Sequence, residues 1–196
     1  MAKSSKTLPA PPTNQPGRQD GQSQELTVVA PMKPGAAAKA RETWETILAL
    51  PENEVRAGLR ELGTMHEARS FLIDNDTRFV FCSTFDGDFG DYIEGWASHP
   101  IAQPLFDANF GVCEGYPGMR SPDVGAWFAK YRIKTGNYRS GYPDLTLLQI
   151  LKDQEVNDAF QDVLDTPEFR AALDNPANAA LMATPAFQKL LDVAAG

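Results

Sequence analysis

Only two cysteines and two histidines occur in these 196 residues. Cys82 and Cys113 stand 31 positions apart, in no CxxC or other metal-ligand spacing, so neither a disulfide framework nor a cysteine-based metal site is expected. Such sparse cysteine use fits a reducing, cytoplasmic location, with Cys82 a small buried thiol in mid-strand. No apolar run approaches the roughly 20 residues of a membrane span, and the N-terminus has no apolar core of signal-peptide type. Basic runs are missing as well. The net charge is −8; Lys3, Lys6 and Arg18 against Asp20 give the first 24 residues +2, leaving −10 for the rest. An acidic body without clustered Lys and Arg excludes nucleic acid as a partner. No GxSxG, phosphate-cradling glycine loop, HExxH or twelve-residue calcium loop appears, so no metal site is expected.

What is present divides into three parts. Residues 1–24, rich in Pro, Ser, Gln and Gly, read as a disordered tail because they bury too little apolar area to offset ordering entropy. Residues 25–145 read as an α+β domain. Alternation of Leu26, Val28, Ala30 and Met32 predicts a strand over 25–32. Helices follow over 36–50, with Ala40, Trp44, Ile47 and Leu48 on one stripe, and over 52–62, closed by Gly63. Strands are predicted over 64–73 and 78–85, joined by the polar turn 74–77. A helix begins at 88, and 104–110 continues it after a break at His99-Pro100, which leaves His99 exposed. Ser121-Pro122-Asp123 favours a helix over 122–132, so the last strand candidate is the short, glycine-rich 136–142.

Residues 146–196 read as a helical extension. From 157 to 192 a nine-residue period runs through four units, beginning at Asn157, Thr166, Asn175 and Thr184. Three units have Pro second. Phe160, Phe169 and Phe187 stand fourth, and Leu164, Leu173, Met182 and Leu191 stand eighth. Positions i and i+4 share a helix face, so each unit is a two-turn helix with one apolar stripe.

The stretch 63–96 is the one place where chemistry is expected, because His66 and Arg69 lie inside a strand. Regular alternation puts Thr64, His66, Ala68 and Ser70 on one face and Met65, Glu67, Arg69 and Phe71 on the other. Two assignments stay open. His66 packs against helices while Glu67 and Arg69 face a cavity, as an ion pair or as an anchor for an anion; or His66 enters the cavity as an acid–base group or axial haem ligand. Phe71, Phe79, Phe81 and Phe85 would line that cavity, with Tyr116 at its mouth. Asp86, Asp88 and Asp91 read as loop and cap chemistry.

The order β-α-β-β-α, with Gly63-Thr64-Met65-His66 through Arg69, Asp86-Gly87, and Cys113-Glu114-Gly115-Tyr116-Pro117-Gly118, resembles the dimeric α+β barrel superfamily, in an uncharacterised bacterial branch. The resemblance covers about 25–145 and implies a ferredoxin-like antiparallel sheet with packed helices. It implies a homodimer whose sheets face each other, and a small apolar or anionic ligand held by Arg69 or His66. It also implies cofactor-free or haem-linked oxidoreductase chemistry. The repeats over 157–192 resemble STI1-type cochaperone modules, which implies a different role: a non-catalytic adaptor binding an apolar segment of a partner protein.

Overall fold

A computed structural model describes residues 19–194; residues 1–18 of the expected tail lie outside the described residues. The chain forms two compact units with their boundary between Leu148 and Gln149. The first is a mixed α+β unit built on a four-stranded, wholly antiparallel sheet of order β1-β2-β4-β3. The strands are β1 (Gln19–Asp20), β2 (Ser23–Pro31), β3 (Met65–Ile73) and β4 (Arg78–Asp86). Residues 19–24, expected in the disordered tail, instead form the first hairpin and the start of β2. Gly21 turns that hairpin at φ +64°, and a Cβ there would sit 1.8 Å from the Pro143 carbonyl oxygen, so glycine is required on both counts.

Helices α1 (Ala37–Leu48) and α2 (Glu52–Leu62) cross from β2 to β3. Gly63, at φ +68°, closes α2 as expected. On α1 the stripe is shifted: Thr43 is buried beside Ala40, whereas Leu48 is 84% exposed. The β3–β4 turn takes three successive positive φ values at Asp74, Asn75 and Asp76, the residue types that tolerate this region best. After β4, the Asp88 carboxylate accepts from the Gly90 and Asp91 amides (2.7 and 3.0 Å) and caps α3 (Phe89–Ser98). Next come α4 (Ala102–Phe110) and α5 (Val124–Tyr131).

His99 is buried, not exposed. Its Nδ1 accepts from the Ile101 and Ala102 amides (3.3 and 3.0 Å), satisfying the first turn of α4, and Nε2 lies 3.4 Å from Glu61. The helix break gives this side chain backbone donors to serve.

No strand forms over 136–142. The free edge of β2 is met by β1 and by the isolated bridge Val28 to Arg132, with the Ile133 amide donating to the Thr27 carbonyl (2.9 Å), and its end is met by a second bridge, Met32 to Cys113, with the Glu114 amide donating to the Pro31 carbonyl (2.9 Å). From Ile133 the chain runs as an irregular strap to α6 (Leu147–Leu164). The core lies between one sheet face and the helices. Leu26, Val28, Ala30, Phe79, Phe81 and Phe85 pack there with Tyr92, Trp96, Phe106, Phe110, Trp127 and Phe128.

The second unit contains the rest of α6, then α7 (Pro167–Leu173), a 3-10 turn (Pro176–Asn178), α8 (Ala179–Met182) and α9 (Pro185–Ala194). Thr166, Asn175 and Thr184 each cap through the side chain (3.2, 3.0 and 3.4 Å). Asn157 does not start a helix, because α6 runs through it. No described helix is long and apolar enough to cross a membrane.

Candidate functional site: a polar cleft on the second face of the sheet

The decisive local feature is a bulge at His66. Met65 pairs with Phe85 and Glu67 with Thr84, so His66 is the extra residue on β3. An unbroken alternation would put Met65 on the same face as Glu67 and Arg69. The bulge breaks that parity: Met65 joins the buried core opposite Phe85, while Glu67, Arg69 and Phe71 lie opposite Thr84, Cys82 and Val80. On the other side of β4, Glu25 pairs with Thr84, Thr27 with Cys82, and Val29 with Val80. Three cross-strand rows result: Glu25–Thr84–Glu67, Thr27–Cys82–Arg69 and Val29–Val80–Phe71.

The first two rows floor a cleft of about 280 Å³. The strap contributes Thr135, Asn137 and Tyr138 to its wall. Three contacts hold the strap in place. The Ser140 amide donates to Asp20 Oδ2 (2.9 Å), the Gln22 amide donates to the Pro143 carbonyl (2.7 Å), and the Leu147 amide donates to Asp86 Oδ2 (2.6 Å). The other oxygen of Asp86 is 2.8 Å from His66 Nε2. The His66 ring is 5.8 Å from that of Tyr142, and its side chain is only 4% exposed. His66 therefore fastens the strap to the bulge; it is neither packed into the helical core nor free in a cavity.

The cleft carries both signs of charge. Arg69 is exposed and makes no ion pair among the described residues, and the same holds for Glu67. Glu25 is buried and accepts from the Thr27 hydroxyl (2.9 Å). It feels the buried Arg132, whose guanidinium stacks 4.0 Å from the centre of the Phe89 ring. Burial draws Arg132 below its usual value, and the Glu25 charge acts in the opposite direction. Burial holds the Tyr138 phenol above its ordinary value, while hydrogen bonds to Ser23 and Thr84 pull it down. Cys82 is half-buried, with its sulfur 3.9 Å from the Thr27 hydroxyl, and so is not the sealed mid-strand thiol expected. Cys113 is sealed: burial pushes its thiol up to about 12.

Of the residues expected to bind a ligand, only Glu67 and Arg69 line the cleft. Phe71 shares their face, two residues further along β3, and is 40% exposed. Phe79, Phe81 and Phe85 face the helices and are core. Their alternation is regular, but which face is covered depends on the helices. Tyr116 also belongs to that packing. Its hydroxyl donates to Asp107 Oδ1 (2.8 Å), and burial followed by that carboxylate raises it strongly. Thr27, Cys82 and Thr84 were open to discovery in the sequence as polar residues alternating with core ones along β2 and β4. Asn137 and Tyr138 had no such signal, because the strap has no period.

A haem does not fit this arrangement. His66 Nε2, the atom that would meet an iron, is bonded to Asp86 inside the fold, and the cleft is polar and near the lower end of ligand-pocket volumes, about 300 Å³. Among the described residues no group of three or more His, Cys, Asp or Glu is placed to hold a metal ion. The class defined is thus a mixed α+β protein with a small charged cleft on the sheet face away from its helices. Comparison with protein-family models, with curated proteins and with solved structures finds no match to this chain.

Proposed function

We propose that this is a small-molecule-binding protein whose ligand is held in the cleft by Arg69. The observation that carries the reading is an arginine with no carboxylate partner among the described residues, in a cleft also lined by Thr27, Thr84 and Tyr138. A guanidinium fork in such a setting recognises a carboxylate or phosphate in two-point fashion. The cofactor-free part of the superfamily resemblance is compatible with this cleft; the haem-linked part is not. Titrating the full chain with acetate and with inorganic phosphate tests the idea. Saturating anion raises the melting temperature of the wild type by about 5 °C, and Arg69→Ala abolishes the shift. Equal behaviour of the two proteins removes the reading.

A homodimer through the same sheet face is part of this proposal. The placement of β4 between β2 and β3, with a helical crossover, supports a ferredoxin-like arrangement. The edge where a fourth strand would lie is occupied by β1 and the Arg132 bridge. Phe71, 40% exposed beside Val29 and Val80, supplies the apolar contact. Sedimentation gives twice the 21.4 kDa chain mass for the wild type and a monomer for Phe71→Asp; a monomeric wild type ends the dimer reading.

One observation favours a separate role for the second unit. None of the residues 149–193 is buried. The stripes Phe160–Leu164, Phe169–Leu173 and Phe187–Leu191 are only half-buried, and Leu181, Leu190 and Val193 are exposed. This supports capture of an apolar segment of a partner protein. A leucine-rich helical peptide binds the wild type and loses about tenfold with Phe169→Ser and Phe187→Ser combined, about 1.4 kcal/mol. Unchanged affinity rejects this role.

A further inference from the structure

We infer that the ligand of the cleft is a zwitterion of amino-acid size, its carboxylate on Arg69 and its ammonium on Glu67. The inference rests on the cleft reading above and adds the second charge. Glu67 and Arg69 are two residues apart on one strand face, so their Cα atoms are about 7 Å apart. They do not pair with each other: no salt bridge joins them, and each makes no other ion pair among the described residues. Adjacent opposite charges left open in one cleft complement a molecule that carries both.

Selectivity follows from the same geometry. A bare anion meets Arg69 but also the Glu67 carboxylate, and is disfavoured by that repulsion. A bare amine meets Arg69 with like charge. Glu25, buried in the same cross-strand row as Glu67, has its charge offset by Arg132, so Glu67 is the carboxylate that meets the ammonium. Thr84, between the two glutamates in that row, adds a hydroxyl that can accept from an ammonium. Cys82, beside Arg69, and the 280 Å³ volume limit the remainder of the ligand to a short side chain.

The test is calorimetric titration of the full chain with the free L-amino acids. Each binder is then compared with its deaminated and its decarboxylated analogue. The expected result is saturable binding of at least one amino acid, at least tenfold tighter than either analogue. Glu67→Gln removes that advantage, weakening the amino acid and, with the repulsion gone, tightening the deaminated carboxylate, whereas Arg69→Ala weakens both. Glu67 is exposed, so its replacement leaves the fold intact. Equal affinity for an amino acid and its deaminated analogue overturns the zwitterion and keeps the anion site. Absence of binding by amino acids, carboxylates and phosphate alike overturns both.

Discussion

Phe110→Ala is expected to destabilise the first unit by about 4 kcal/mol. Phe110 has no exposed surface, and its ring centre lies within 5.1–5.7 Å of those of Phe79, Phe81, Phe106, Tyr116, Trp127 and Phe128. It therefore joins the sheet to α4, α5 and the loop that carries Tyr116. Truncation removes apolar transfer energy and leaves a cavity walled by rigid rings that cannot collapse into it. All three tryptophans, Trp44, Trp96 and Trp127, lie in the first unit, so fluorescence-monitored urea unfolding reports on that unit alone. Phe110→Leu, which keeps most of the volume, should lose about 1.5 kcal/mol. A loss below about 1 kcal/mol for the alanine variant would show that the cluster does not depend on this ring.

The second large effect falls on Asp86. Its two oxygens serve His66 Nε2 and the Leu147 amide, and its side chain is 7% exposed. Asp86→Ala leaves two buried polar groups without partners and costs about 3 kcal/mol in all. The loss is local in a way that a core cavity is not. Amides of residues 133–148 should exchange with deuterium at least tenfold faster, while β2 and β4 hold their protection. Asp86→Asn retains an acceptor and restores part of that protection. Because the strap supplies Asn137 and Tyr138 to the cleft, the alanine variant should also lose the anion-induced rise in melting temperature. Unaltered exchange over 133–148 would mean that the strap is held by Asp20 and Gln22 without help from Asp86.

Much of the local structure was legible in the chain. β2, β3 and β4 follow from period-two alternation and α2 from its apolar spacing. Gly63 and Asp88 mark a helix end and a helix start by chemistry that acts within a few residues. The helix over 122–132 was rightly preferred to a strand on the strength of its Ser-Pro-Asp start. The nine-residue period located the caps at Thr166, Asn175 and Thr184 for the same reason.

The site was legible only in part. Glu67 and Arg69 could be placed on one face by counting, and they are. His66 and Met65 could not, because a bulge has no signature in hydrophobic period, and one extra residue exchanges the faces of everything before it. The identity of the open face likewise escaped the alternation of Phe79, Phe81 and Phe85. A period says that two faces differ; it does not say which one the helices will cover. The strap was misread because a segment without regular structure is positioned by distant partners: Asp20, Gln22 and Asp86 for Ser140, Pro143 and Leu147. By itself the sequence determined the sheet-forming runs, the helix ends and the placement of Glu67 and Arg69 on one strand face, all properties set by neighbours along the chain. The tertiary structure decided which face stayed open, that His66 binds Asp86 rather than a ligand, and that a polar strap closes one side of the cleft. Those outcomes depend on contacts between residues 20 to 120 positions apart, whose geometry exists only once the chain has folded.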